Sequence, residues 1–435
     1  MPSKTLPHRV VVLGAGIAGL RVAVELGKRC VRMRGCEITL IDKNSGHVYW
    51  PLLYEVCSGA LEDSKNECVG ELRSGVCIGF EDYVNILRHK HIRFVRGVVS
   101  GIDQEKKEVV LADDRRVAYD DVVVALGAES ATYGIPGIAE HASTMKSLGE
   151  AMKIRERLAK FLSAYRKGTE KHVSVVVGGG GATGTELSGE LGNFFHHLVE
   201  QKEMKVADYN ITLVEAGPSI LAPYTEKFRA CAMNRLKQLG VEVVTDMKIL
   251  SVEKNAIRYA GKDGKEASRE ADVVVWAGGI KPAELVKKLG LPVDEKGFIA
   301  IEPTFEVKGM EHAYALGDCA AVMHPKTGRR VPALGQAAER EAAIVAENVV
   351  RHLERKGLMN WTPPDHWITV VPIGGKFALA DFGKWYIGGM LGYLIRKAAD
   401  FYYFFSVLPW RNAWSIWMRG AAAYTRNDSG SAKAK

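Results

Sequence analysis

The stretch VVGGGGATGTELSGEL, residues 176–191, reads as a strand that runs into a glycine-rich turn and then a helix. That is the opening of a nucleotide-binding βαβ unit. The chain carries a second one, VVVLGAGIAGLRVAVEL at residues 10–26. Gly14, Gly16 and Gly19 punctuate the earlier turn, and Gly179, Gly181 and Gly184 the later one. Both turns meet the same physical need: glycines let the backbone approach a pyrophosphate, and the helix that follows presents amide donors and a partial positive charge.

Each turn is followed by the same two landmarks. The strand CEITLID ends at Asp42, and the strand in NITLVEAG delivers Glu215, each placed to accept hydrogen bonds from a ribose. The apolar strands in DDVVVALGAES (120–130) and ADVVVWAGGIKP (271–282) then close on Gly127 and Gly278. Two complete sets imply two dinucleotides. Beyond the second set, residues 296–320 read as two short strands followed by Gly317-Asp318, and residues 332–357 as a long helix ending at Gly357. Because this block resumes after the second unit is complete, the expected architecture is α/β with two Rossmann-like dinucleotide-binding domains. The first, 1–140 and 297–365, is split by the inserted second, 141–296, and residues 366–435 form a C-terminal region.

Length and composition agree. At 435 residues the chain exceeds one compact core, and 47% hydrophobic with 25% charged residues excludes wholesale disorder and a multi-span membrane protein. The seven cysteines (Cys30, Cys36, Cys57, Cys68, Cys77, Cys231, Cys319) are odd in number and contain no CxxC, so a disulfide framework and a zinc ribbon are both unexpected. No histidine pair has metal-ligand spacing, and no metal is expected. The amino terminus passes directly into a strand without the apolar region of a signal peptide.

Several stretches narrow the reading. HVYWPLLYEVCSG (47–59), YDDVVVALGAES with YGIPG (119–137), GGGATGTELSGEL (179–191) and YALGDCA (314–320) resemble the type II NADH:quinone oxidoreductases, and the likeness covers essentially the whole chain. The resemblance implies FAD at Gly14, Gly16, Gly19 and Asp42, with Asp318 on its ribityl chain and Pro51 and Leu52 beside the isoalloxazine. It implies NADH at Gly179, Gly181 and Gly184, with Glu215 at the adenosine ribose and Glu186 near the nicotinamide. Glu215 itself argues for NADH over NADPH, since a carboxylate repels a 2′-phosphate and EAGPSI supplies no arginine.

Other residues carry two readings each. Lys376, in PIGGKFALADFG, is either a charge that stabilises reduced flavin or a solvated turn lysine. The helix beginning near Ala333 offers its dipole to the same charge. Members of the resembled family carry AQxAxQ beside the quinone; here it is GQAAER, so Gln336 is retained and Arg340 replaces the second glutamine. Arg340 either donates to a quinone carbonyl or pairs with a neighbouring carboxylate. Glu186, placed in the first helical turn, has the alternative of simply favouring the dipole. Cys57 and Cys319 fall near the presumed flavin and are expected to be buried thiols. His47 is expected to position backbone or FAD.

The tail, residues 384–420, holds eleven aromatics between Trp385 and Trp417, and the last 51 residues carry seven Lys or Arg against two Asp. Its uncharged runs are too short to span a bilayer. The expectation is an amphipathic segment lying in the headgroup region and bringing the enzyme to a membrane quinone, with no nucleic-acid partner. A homodimer, setting two such tails on one surface, and a peripheral position on the cytoplasmic face of the inner membrane or an organelle equivalent complete it. Removing residues 385–435 is expected to release the protein. Two relatives of the same architecture remain as alternatives: a sulfide:quinone reductase, which needs reactive cysteines, and a soluble NADH-dependent ferredoxin or rubredoxin reductase, against which the tail counts.

Overall fold

The computed structural model describes residues 7–33, 35–59, 77–79 and 91–424. Cys68 and the tail charges Arg426, Asp428, Lys433 and Lys435 lie outside the described residues, as does the extreme amino terminus.

Two five-stranded parallel sheets form the body of the molecule. In spatial order the first is Ala313–Ala315, Asp121–Val124, His8–Leu13, Cys36–Asp42 and Ile92–Arg96. The second is Ala142–Thr144, Val273–Trp276, Val173–Gly178, Tyr209–Val214 and Val241–Val244. The inner strands are continuous buried runs of valine, leucine and isoleucine, as a parallel sheet covered on both faces requires. The central register is the same in both: Val10 to Leu13 face Asp121 to Val124, and Val175 to Gly178 face Val273 to Trp276. The first sheet therefore takes its edge strand from residues 313–315, beyond the whole of the second sheet in sequence.

The duplication goes further than the glycine motifs. Each unit inserts a three-stranded antiparallel meander before its closing strand, Val99–Asp103 to Arg116–Ala118 in one and Met247–Glu253 to Glu266–Glu270 in the other. After the closing glycines the two units join, Ala128–Ser130 pairing antiparallel with Ile280–Pro282. The indole of Trp276 donates to the carbonyl of Ala131 at 2.8 Å across the same seam.

Two local expectations change. Residues 296–320 contain one strand, Ala313–Ala315, and otherwise isolated bridges such as Ile301 with Val307, because each extended piece is too short to build a ladder. The long helix is Gly335–Leu353, starting after Pro332 rather than at it. It packs on Ile17–Met33 across one face of the first sheet.

The chain then forms a small antiparallel sheet, Thr369–Pro372, Ala378–Asp381 and Tyr386–Ile387, followed by helices Met390–Val407 and Trp410–Tyr424. Helix Met390–Val407 is apolar on both faces. Its buried side carries Arg396, Lys397 and Asp400 beside Tyr403, Phe404 and Val407, while Leu391, Leu394, Tyr402 and Phe405 face outward. Asp400 is 2% exposed and Leu394 54%.

Candidate active site

The two glycine turns are sterically alike. Gly14 and Gly179 have φ of +96° and +110°, and a Cβ on them would meet the carbonyl oxygens of Ala125 and Ala277 at 2.5 and 2.6 Å. A Cβ on Gly19 would stand 1.9 Å from the carbonyl oxygen of Gly14, and one on Gly184 the same distance from that of Gly179. Gly16 and Gly181 differ: nothing lies within 4 Å of the added Cβ, so the middle glycine of each turn faces open space. Two glycines close each turn and the third leaves room for a ligand. The helices that follow carry no acid in their first turn, and Ala182–Glu200 has no side-chain cap, so its first amides remain for an anion.

The acid of each unit folds back on its own turn. Asp42 accepts from the amides of Ala15 and Asn44, both at 2.7 Å, and Glu215 from those of Gly180 and Gly217, both at 2.6 Å. One expectation fails here. No arginine is near Glu215 in sequence, yet helix Glu226–Gln238 brings Arg229 to the hydroxyl of Ser219 at 2.6 Å.

Ala15 is held on its other side as well. Nδ1 of His47 lies 2.8 Å from the carbonyl oxygen of Ala15, and its Nε2 lies 2.6 Å from the hydroxyl of Tyr403. Burial lowers the imidazole to about 4, so it is neutral. A carbonyl only accepts, so Nδ1 bears the proton, donates it, and leaves Nε2 to accept from the tyrosine. His47 is a positioning residue between the first glycine turn and the tail.

Further bonds between tail and body run along the same strip. Tyr49 donates to Asp400 at 2.9 Å, Arg396 donates to the carbonyl of Pro51 at 2.7 Å, and Lys397 reaches Glu55 at 3.3 Å. Arg396 also pairs with Asp400 at 3.1 Å. Pro51 and Leu52 lie in the short turn Trp50–Leu52, directly ahead of helix Leu53–Ser58, which packs on Ala182–Glu200 of the second unit. The reading of Arg396 and Lys397 as headgroup contacts is thus corrected: both are buried partners of residues some 340 positions earlier. Deleting residues 385–435 would also remove Tyr403, Asp400 and Arg396 from this strip, so truncation is not a clean test of membrane binding.

Glu186 stands in the second turn of its helix, not the first, which removes the dipole explanation. It is half-buried, and burial pushes its carboxyl up to about 8, with Arg396 opposing and Asp400 and Glu55 adding to the shift. A small open cleft lies at the amino end of Gly335–Leu353 and is lined by Asp318, Arg330, Leu334 and Glu341. Glu341 accepts from the amide of Gly317 at 2.8 Å, and burial pushes it up to about 7. Gly127, at φ +70°, lies by the ring of Trp50, and Gly278 by that of Trp276. The ammonium of Lys146 sits 5.3 Å over Trp50 and feels the charge of Asp318.

The remaining sequence candidates are dispersed. Gln336 donates to the carbonyl of Ile368 at 2.6 Å. Arg340 stacks on Trp367 at 5.2 Å instead of forming an ion pair with a neighbouring acid. Lys376 is exposed, in a turn lodged against Gly189 and Asn193 of helix Ala182–Glu200. Burial raises the Cys57 thiol far above its ordinary value and Cys319 to about 11, so both stay protonated. Sequence reading missed Lys146, Arg330, Glu341, Tyr49 and the inward charges of the tail. Of these only Arg396, Lys397 and Asp400 left a signal, as charges interrupting an aromatic run.

The model of the pyridine nucleotide-disulphide oxidoreductase family matches residues 8–342. A type II NADH:quinone oxidoreductase of Haemophilus influenzae is 27% identical over 86% of this chain and 88% of its own length. The chain belongs to the pyridine nucleotide-disulphide oxidoreductase family. An internal alternative NAD(P)H-ubiquinone oxidoreductase, A1, mitochondrial, of Solanum tuberosum is 31% identical over 78% of this chain and 68% of its own length. The structure of NDH2 from Plasmodium falciparum in complex with NADH superposes with a TM-score of 0.81, covering 97% of this chain and 99% of that one at 17% identity, a likeness of fold.

The glycine turns fit the two dinucleotides the family uses. In each, a Cβ is excluded where the turn closes and space is left where a pyrophosphate belongs. Two outcomes follow from the buried charges. Asp400→Ala leaves Arg396 buried without its partner and the Tyr49 hydroxyl without an acceptor, and is expected to cost about 3–5 kcal/mol in chemical unfolding; Arg419→Ala, at an exposed position, is expected to cost less than about 0.5 kcal/mol. Glu186 keeps its proton in the folded state to about 8, whereas an unfolded chain releases it near 4.5. The folded state therefore binds more protons between those values, and this residue subtracts stability as pH rises through that window. Thermal unfolding of Glu186→Gln is expected to fall less from pH 5 to 8 than that of the parent; equal slopes would refute the assignment.

Proposed function

We propose that the chain oxidises NADH through bound FAD and passes two electrons to a quinone at a lipid surface, without carrying protons across it. The observation that supports this reading best is the run of bonds from the first glycine turn, through His47, to Tyr403 on a helix whose opposite face is apolar and exposed. It ties a dinucleotide cradle to a surface suited to lipid.

In this reading residues 1–140 and 297–365 bind FAD through Gly14, Gly16, Gly19, Asp42, Gly127 and Asp318. Residues 141–296 bind NADH through Gly179, Gly181, Gly184, Glu215 and Gly278. Bound flavin supplies the chemistry that accepts a hydride and releases two electrons singly or together. The chain's own groups do the rest. Glycine amides and helix ends hold the pyrophosphates, and Asp42 and Glu215 orient the riboses. Pro51 and Leu52, fixed by Arg396, form the wall beside the isoalloxazine, while Glu186, a neutral acid at pH 7, sits near the nicotinamide. Gln336 and Arg340 flank the quinone approach, with the amide of Gln336 exchanging its bond to Ile368 for one to a quinone oxygen. Lys376, on its exposed turn, has the least support.

The protonated, buried Cys57 and Cys319 argue against sulfide oxidation. Among the described residues no helix is long and apolar enough to cross a membrane. The outward residues Leu391, Leu394, Tyr402 and Phe405, continued by Trp410, Trp414 and Met418 with Arg411 and Arg419 at their margin, form the proposed lipid contact in residues 366–435. Attachment at the cytoplasmic face of an inner membrane, or an organelle equivalent, and a homodimer with two such faces on one surface extend the proposal.

Anaerobic NADH is expected to bleach the flavin, and a short-chain quinone to restore its colour through many cycles. Bleaching by sulfide and not by NADH would favour the sulfide enzyme, and restoration by a protein acceptor alone the soluble reductase. Leu394→Glu with Phe405→Glu is expected to lower sedimentation with anionic vesicles at least tenfold, since each lost apolar side chain forgoes about 1.5–3 kcal/mol of burial, while flavin stays bound. Undiminished vesicle binding would remove the tail from the lipid contact.

A further inference from the structure

At the end of the first sheet opposite its glycine turn, four side chains from four separate elements meet. His8 opens strand His8–Leu13, Asp121 opens Asp121–Val124, His312 immediately precedes Ala313–Ala315, and His352 lies in the last turn of Gly335–Leu353. Asp121 is fully buried, with Oδ2 at 2.5 Å from Nε2 of His8 and Oδ1 at 3.1 Å from Nδ1 of His312. The rings of His312 and His352 lie edge to face, 4.3 Å between centroids. One ligand atom each from Asp121, His312 and His352 falls within 4.8 Å of the others.

We infer that this cluster is a binding site for a first-row divalent cation of the zinc type, with Asp121, His312 and His352 as ligands. Imidazole and carboxylate together suit zinc, nickel or copper better than magnesium or calcium. Bonds of about 2.0–2.2 Å in a tetrahedral site set ligand atoms roughly 3.3 Å apart. The contact between Asp121 and His312 already has that spacing, and His352, whose ligand atom lies within 4.8 Å of the other two, has at most about 1.5 Å to close. His8 then plays the outer part, holding the second oxygen of the ligating carboxylate. A fourth position is left for water.

One further observation points the same way. Tyr314, two residues on from His312, is fully buried, and its hydroxyl has no hydrogen-bond partner among the described residues. The negative charges that bear on it are Asp121 and Glu306. A bound cation would answer the concentrated acceptors, and its water would donate to the orphaned hydroxyl oxygen. The site was invisible as a motif because its ligands stand at positions 121, 312 and 352. Being at the far end of the strands from the glycine turn, its metal would clamp strand and helix ends and take no part in electron transfer.

The test uses the untagged, flavin-loaded full chain, stripped with EDTA, desalted, and titrated calorimetrically with zinc in excess magnesium. One equivalent is expected, with the melting temperature raised by a few degrees. The double variant His312→Asn with His352→Gln should lose both, whereas His196→Gln, at an exposed position, should keep them. Absence of saturable zinc binding, or equal binding by the double variant, overturns the site. Should the double variant fail to fold, crystals of the parent chain soaked in zinc decide: an anomalous peak between Asp121 and His312 supports the site, and peaks only elsewhere overturn it.

Discussion

The peptide of Ala15 is gripped on both sides, its N–H by Asp42 and its carbonyl by His47, and His47 is held in turn by Tyr403. Much of the molecule depends on that grip. The first glycine turn can follow only one path, because Gly14 and Gly19 press against backbone oxygens. The neutral tautomer of His47 ties that path to a helix near the far end of the chain. Arg396 and Asp400 continue the attachment to Pro51 and Tyr49, so the turn Trp50–Leu52 and the helix that faces outward form one piece. Each buried charge here is paired, and pairing is the condition for its burial.

The duplicated units were legible because their determinants are local. A glycine turn, the acid after the next strand and a closing glycine lie on short stretches of chain, and parallel strands buried on both faces spell themselves as unbroken apolar runs. Asp42 and Glu215 emerged in equivalent places, down to the two amides each accepts. The pairing of Ala128–Ser130 with Ile280–Pro282 carries no such local mark, since its partners lie more than a hundred residues apart.

The tail was half legible. Its aromatic and basic content is plain in the sequence, but which side faces the body is not. Alternation of apolar and charged residues specifies an amphipathic helix without saying which face turns inward. Here Tyr403, Phe404 and Val407 turn inward as the usual rule requires, and Glu55, Tyr49 and the carbonyl of Pro51 offer partners for the charges buried beside them. Arg340 was similarly opaque. Its neighbours Glu339 and Glu341 engage Ser406 and the amide of Gly317, leaving the guanidinium to lie on Trp367.

A helix that buries ions and displays leucine and phenylalanine acquires its shape from the protein, not from lipid. Surface-seeking peptides commonly coil only on arrival, and their adsorption carries the enthalpy and ordering of that transition. Here the ordering is completed during folding, so the proposed lipid contact would be the docking of a rigid, already formed surface. The corresponding hazard falls on the newly made chain: while uncovered, the same face is open to other copies of itself.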